Sequence, residues 1–268
     1  MAWRTSLNAA LPSLLTLGLL GAVYALPPDA SLSEARSAGL LRACMPPLYP
    51  PLVTGDRAAP GIDVELLTAV ARDLGLELAT TSNQAMGQDF NPRNWRVTRA
   101  QCQVLAGGVV SSQTTRSFLD VTPSHALTGW MLILPKPLAN WNGKRIGVYT
   151  GVSGLDRLAL SRLLRARQAT PAITQTADDL ARGLREGRFE AAITERLLAE
   201  KIADANGWKT EWAPAELPRL ELVFGLWKGD LTLKRAIVAS LGRLDASGET
   251  ARIIARYAPG AAARRGGA

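Results

Sequence analysis

Metal- and thiol-bearing side chains are scarce in this 268-residue chain, which has two cysteines, Cys44 and Cys102, and one histidine, His125. Three such groups fall short of the four ligands a zinc site ordinarily takes, so no metal centre is expected. Phosphate-binding loops are missing too. The short "GVYTGVSG" is glycine-bounded but lacks the lysine of a P-loop, and no nucleophile–base pair stands out, so neither a cofactor nor an enzyme activity is expected. Basic residues exceed acidic ones, 31 to 23, for a net charge of +8. They are spread along amphipathic stretches and never massed in one run, which argues against nucleic acid as a partner. No internal repeat is visible.

What is present is globular material, 47% hydrophobic and 20% charged, enough for one large domain or two lobes. The start differs from the rest. "MAWRTSLNAALPSLLTLGLLGAVYALPPDA" carries one cation, Arg4, and no acid before Asp29. Its apolar stretch runs from Ala9 to Leu20, and small residues at Val23 and Ala25 suit cleavage. Residues 1–25 read as a secretory signal peptide, which places the mature chain in the periplasm. The alternative is an uncleaved anchor, disfavoured by Pro12 and by the modest length. Export bears on the cysteines. An even count in an oxidising compartment favours a Cys44–Cys102 disulfide, the other reading being two buried free thiols.

Strands and helices alternate along the mature chain, the pattern of an α/β fold. "GLLRACM" is a first strand over Leu40–Cys44. "DVELLTAVARDLGL" places Val64, Leu66, Leu67, Val70, Ala71 and Leu74 at helical spacing, with Asp63 as N-cap and Gly75 at the end. "LELATT", "CQVLAGGVV" and "GWMLILPK" follow as strands. A second unit opens with a strand over Arg145–Tyr149, a glycine-bounded turn and a helix from near Gly154. It continues with the helix "ADDLARGLREGR", the strand "FEAAIT" and the helix "RLLAEKIADAN". "LELVFGLWKGD" reads as strand and turn, and the chain closes on two helices broken at Ser247 and Gly248.

Ligands of open α/β sheets collect at the carboxyl ends of strands, and four such ends carry polar punctuation: Tyr49, the segment Ser111–Arg116, the segment Thr150–Ser153, and Glu195. Arg116 offers a planar fork that grips a carboxylate through two parallel bonds. Hydroxyls and N–H groups of Ser111 and Ser153 can complete an anion cradle, helped by the start of the next helix. Glu195 can take an ammonium. Taken singly, such an Arg is more often half of a surface ion pair, and such a Glu is more often solvated or a helix cap.

From Leu40 to Tyr257 the chain resembles the periplasmic solute-binding proteins of polar amino-acid ABC importers. The resemblance lies in "LRACMPPLYPPL", "GIDVELLTAVARDLGL", "VVSSQTTRSFLDVT", "NGKRIGVYTGVSG", "GRFEAAITE" and "FGLWKGDLTLKRAI". It implies a two-lobe type II periplasmic-binding-protein fold, each lobe a mixed sheet flanked by helices, joined by two hinge crossovers. The lobes would be residues 40–127 with 224–268, and residues 128–223, closing on the ligand as a hinge. Tyr49 would stack on an amino-acid-like ligand, and Arg116 would hold its carboxylate. Ser111 would add a hydroxyl or amide, Val152 and Ser153 their backbone, and Glu195 would take the amino group. The partner would be an ABC permease and the protein a monomer. His125, beside the first crossover, would be a loop or hinge residue rather than a ligand contact.

The chain departs from that pattern in places. Glu195 stands where the family has Asp, Leu52 where Phe is common and Gln103 where Asp is usual, and "DVTPSHALTG" lacks the aromatics that follow the family's arginine. The cysteine placement and "NWRVTRAQCQVLAGG" are similar to a branch of this fold that accompanies periplasmic quinoprotein alcohol dehydrogenases, which implies a dehydrogenase partner instead. A further branch dehydrates cyclic acids with a cleft carboxylate, a part Glu195 would take.

Overall fold

The alternation of short apolar runs and amphipathic stretches resolves into two mixed five-stranded sheets flanked by helices. The computed structural model describes residues 29–87, 89, 91–150 and 155–259, together with Thr16 and Gly18. The expected leader, residues 1–25, otherwise lies outside the described residues. Met1–Ala30 and Ser31–Ala268 are separate units, and the second contains both sheets.

In chain order, α1 (Ser31–Ala38) leads into β1 (Leu40–Met45), α2 (Ile62–Asp73), β2 (Glu77–Ser82), β3 (Val104–Leu105), α3 (Gln113–Phe118) and β4 (Leu119–Val121). Next come β5 (Ala126–Thr128), β6 (Trp130–Leu134), β7 (Arg145–Val148), α4 (Arg157–Ala166), β8 (Thr170–Ile173), α5 (Ala177–Arg185), β9 (Ala191–Glu195), α6 (Arg196–Asn206) and β10 (Lys209–Trp212). The return is β11 (Leu220–Leu222), β12 (Gly225–Trp227), α7 (Leu231–Ala246) and α8 (Glu249–Tyr257).

The first sheet has the order β2-β1-β3-β12-β4, and the second has the order β10-β6-β9-β7-β8. In each, three strands run parallel, β2, β1 and β3 in one and β8, β7 and β9 in the other. A single strand runs against the other four in each, β12 in the first and β6 in the second. Between them in sequence, β5 pairs antiparallel with β11. β6, "WMLIL", is buried at every residue, as befits an apolar run flanked by β10 and β9. On α2 the apolar face is Leu66, Leu67, Val70 and Ala71. Leu66 and Leu67 are wholly buried, each stabilising by roughly 2–3 kcal/mol relative to exposure.

Cys44, in β1, and Cys102, just ahead of β3, form a disulfide with their Cα atoms 5.5 Å apart. The expected bridge is therefore present. Trp227 donates its indole N–H to the carbonyl of Cys102 at 2.6 Å. Gln103, where an Asp is usual, bonds β1 through both backbone and side chain, its N–H to the Arg42 carbonyl and its Oε1 to the Arg42 N–H.

One expectation at α2 needs correction. Asp63 is not the N-cap. Gly61 is, at φ 113°, and a Cβ there would sit 2.3 Å from the Leu52 carbonyl oxygen, so the left-handed turn and the close approach both require glycine. Asp63 lies inside the first turn, fully buried. Its Oδ2 accepts the N–H of Gly107 at 2.7 Å and of Gly108 at 3.3 Å, and its Oδ1 meets His125 Nε2 at 2.9 Å. His125 in turn stacks on Phe224, with ring centroids 4.6 Å apart.

One acid thus joins the helix start, the segment after β3 and the segment leading into β5. Asp63→Ala strands two N–H groups and a buried histidine, and should lower the unfolding free energy in urea by about 3–5 kcal/mol. A loss under about 1 kcal/mol, the scale of a solvated surface pair, would show that the acid does not carry this junction.

Candidate functional site

The segment after β3 owes its course to the returning chain. Val109 and Ser111 sit beside residues 221–223, with the Val223 N–H bonded to the Val109 carbonyl and the Ser111 N–H to the Glu221 carbonyl, each at 2.9 Å. The Ser111 amide is therefore committed to the returning chain, so of the hydroxyl or amide expected from Ser111 only the hydroxyl is left for an anion. Its hydroxyl bonds no other described residue, and Ser111 is almost wholly buried.

Arg116, expected on a loop, lies instead on α3. Ser112 builds this short helix by accepting the Thr115 N–H on its hydroxyl at 3.0 Å, a small N-cap of the usual Ser type. Arg116 is solvent-exposed. One terminal nitrogen donates to the Ser111 carbonyl at 3.1 Å, and no described acid pairs with the guanidinium. The side chain is therefore tethered at one corner, with its other donors open.

Tyr49, four residues past the end of β1, lies against the same segment. Its ring fills the place a Cβ would take at Gly108, within 2.5 Å of that position, and only 7% of the residue is exposed. Tyr49, Ser111 and Arg116 thus gather at one end of the first sheet. The tyrosine ring is packed beneath the segment as part of the first core.

Glu195 ends β9, next to Trp130 of β6 in the sheet register, and is 5% exposed. It caps α6, where its Oε2 accepts the Leu198 N–H at 3.1 Å. Its Oε1 accepts the Thr128 hydroxyl. Burial pushes its pKa up, against the lowering effect of Thr128, the amides of Leu197 and Leu198, and the charge of Arg196. No hydrogen bond or ion pair joins Glu195 to Arg116. Val152 and Ser153, expected to complete the anion cradle, lie outside the described residues. The helix expected from near Gly154 begins at Arg157, capped by the Asp156 carboxylate, which accepts the Ala159 N–H at 2.9 Å.

Two residues absent from the sequence-based site shape this junction. Thr128 holds Glu195 from 67 positions away. Arg196, buried, donates to the Leu127 carbonyl at 2.9 Å and to Glu200 at 3.1 Å, and its amide bonds the Gly129 carbonyl. A basic residue opening a helix beside a capping acid is the only local signal. Among the described residues, no group of three or more His, Cys, Asp or Glu could hold a metal ion. A groove of about 860 Å³ lies at the other end of the second sheet, among Lys136, Lys144, Arg185, Phe189 and Trp208, away from Glu195 and Arg116.

No protein-family model matches the chain, and no curated protein matches it. Solved structures do. An ancestral cationic amino acid solute-binding protein aligns with 85% of this chain and 99% of its own, at 16% identity and a TM-score of 0.71. A substrate-binding protein of an ABC uptake transporter from Streptococcus pneumoniae, with bound histidine, covers 85% and 96%, at 18% identity and 0.63. An ancestral amino-acid-binding protein described as a precursor of cyclohexadienyl dehydratase covers 85% and 99%, at 15% identity and 0.62. The chain has the two-lobe type II periplasmic-binding-protein fold of these structures.

A free glutamate side chain titrates near 4.5. Because the folded pKa of Glu195 lies above that value, the folded chain holds the proton more tightly than the unfolded one. The stability this contributes is full below the unfolded pKa and is lost as pH rises through the folded pKa. Glu195→Gln, uncharged throughout, should therefore gain stability relative to the parent as pH is raised from about 4 to about 8. Melting curves across that range check it. A difference between the two proteins that does not change with pH would refute the raised pKa.

Proposed function

We propose that this chain is a periplasmic solute-binding protein, a relative of the polar amino-acid importers' binding proteins, that captures a small carboxylated solute for an ABC permease. The observation that carries the reading is the open guanidinium of Arg116, held at one corner by the Ser111 carbonyl and paired with no described acid. A fork so placed accepts a carboxylate through two parallel charge-assisted bonds, and the unbonded Ser111 hydroxyl stands beside it. The lobes are residues 40–127 with 224–268, and residues 128–223. They close about the crossovers near β5 and β11, the bound solute favouring the closed state through contacts made from both sides. Val152 and Ser153 offer backbone groups from the second lobe, and Tyr49 backs the pocket. Among the structural neighbours are a cationic amino acid solute-binding protein and a substrate-binding protein with bound histidine, so amino acids belong in any first screen.

Melting-temperature shifts with a library of small carboxylates test the reading, since a ligand that binds only the folded chain raises its stability by mass action. Arg116→Ala should weaken the best binder by about 2–5 kcal/mol, because the carboxylate loses its charged partner in a closed cleft. Unchanged affinity would remove Arg116 from the site.

The Cys44–Cys102 bridge favours a second reading, an accessory protein of a periplasmic quinoprotein dehydrogenase, since that branch is similar to this chain in its cysteine placement. Affinity capture from a periplasmic extract, followed by mass spectrometry, should then recover a dehydrogenase. Its absence, with a solute bound through Arg116, leaves the importer reading alone.

A further inference from the structure

The groove at the far end of the second sheet takes no part in the Arg116 site. It lies where β6 ends and β7, β9 and β10 begin, as the sheet register requires, while Glu195 stands at the opposite end of β9. Its volume is about 860 Å³, the size of a cleft for a small organic molecule. The floor is built into the fold. Phe189, just ahead of β9, is 4% exposed, and its ring fills the space that side chains at Gly147 and Gly183 would need. Leu184 and Leu138 extend this apolar surface. Trp208 forms a half-buried wall, and its indole N–H bonds no described residue.

The charge in the groove is uneven. Lys136, Lys144 and Arg185 line it, and none pairs with a described acid. Other surface arginines of this lobe do find partners, Arg167 with Glu216 and Arg188 with Glu186. Glu190 is the one acid among the lining residues, and its Oε2 accepts the Arg145 N–H at 2.8 Å. The ends of α5 and α6 add partial negative charge, about half a unit each. Three whole cations outweigh that acid and those two helix ends, so the groove stays positive.

The two features together define the chemistry. A bare inorganic anion would find cations but an apolar floor, without the converging backbone donors of an anion nest. A neutral apolar molecule would use the floor and leave the cations idle. An organic anion uses both. Its body covers Phe189 and Leu184 against the Trp208 indole, and its acid group meets the ammonium and guanidinium groups. We infer that this groove is a second ligand site, for a small organic anion with an aromatic or comparably bulky apolar body. The inference is independent of the Arg116 reading.

Fluorescence titration of the mature chain with anilinonaphthalene sulfonate tests it, beside the uncharged phenylnaphthylamine and inorganic phosphate. The sulfonate should saturate a single site per chain, bind at least about tenfold more tightly than the uncharged compound, and resist displacement by equimolar phosphate. Joint replacement Lys136→Gln, Lys144→Gln and Arg185→Gln should weaken it at least about tenfold, whereas Arg116→Ala should leave it unchanged. The indole N–H resonance of Trp208, identified by its loss in Trp208→Phe, should shift as the site fills. The three cations are exposed or half-buried and unpaired, so their replacement should leave the melting temperature near that of the parent. Absence of saturable binding, equal affinity for the uncharged compound, a Trp208 resonance that does not move, or binding lost in Arg116→Ala and kept in the triple variant would each overturn the inference. The ligand comparison and the Trp208 resonance, both read on the parent protein, decide even if the triple variant fails to fold.

Discussion

A single buried carboxylate governs the geometry on which the site depends. Asp63 sits at zero exposure in the first turn of α2, and two other segments, distant in sequence, meet on its two oxygens. A carboxylate in that position is stable only if its lone pairs are filled, and the Gly107 and Gly108 amides and the His125 ring fill them. Those bonds fix the chain as it leaves β3, three residues ahead of Ser111. The glycine at 108 is required because the Tyr49 ring occupies the space a side chain would need. From there the amide of Ser111 is taken up by the returning chain, and its carbonyl holds Arg116. The placement of the exposed cation is thus the last step of a sequence of satisfied backbone groups that starts at Asp63.

The two charged residues at the strand ends are used in contrasting ways. Arg116 is exposed, tethered at one nitrogen and otherwise open. Glu195 is buried, caps α6 and is hydrogen-bonded at both oxygens. The first arrangement leaves interaction energy available for an incoming anion. The second has already committed it to the fold, joining the start of α6 to the end of β5. Arg196 adds to this join through the Leu127 carbonyl, and Leu197 packs with the core of the first sheet. The start of α6 therefore belongs to the connection between the sheets as much as to the second sheet.

Much of this is legible in the sequence where one element carries its own pattern. The helical spacing of α2 and the break between α7 and α8 at Gly248 are local signals, as is the wholly apolar β6. Edge strands are harder. β8 contains Pro171 and is largely exposed, and β10 alternates half-buried with exposed residues, so neither stands out from its surroundings. "LELVFGLW" reads as one strand and is two, because β11 pairs with β5 while β12 crosses into the first sheet. Arg116 stands out in the sequence as the candidate anion ligand but not as helical, since a six-residue helix made by one serine cap has no periodicity to show. The commitment of Glu195 to Thr128 is out of reach, because nothing in the order of residues marks a contact across 67 positions. The cap itself is the plainer of the readings open to that residue.

The central claim is that Arg116 holds a small carboxylate. Native mass spectrometry of freshly purified protein, parent beside Arg116→Ala, addresses it most directly, because tightly held solutes survive gentle ionisation. The account predicts a low-mass acidic adduct on the parent that is absent from the variant. An adduct of the same mass and occupancy on both proteins would contradict it.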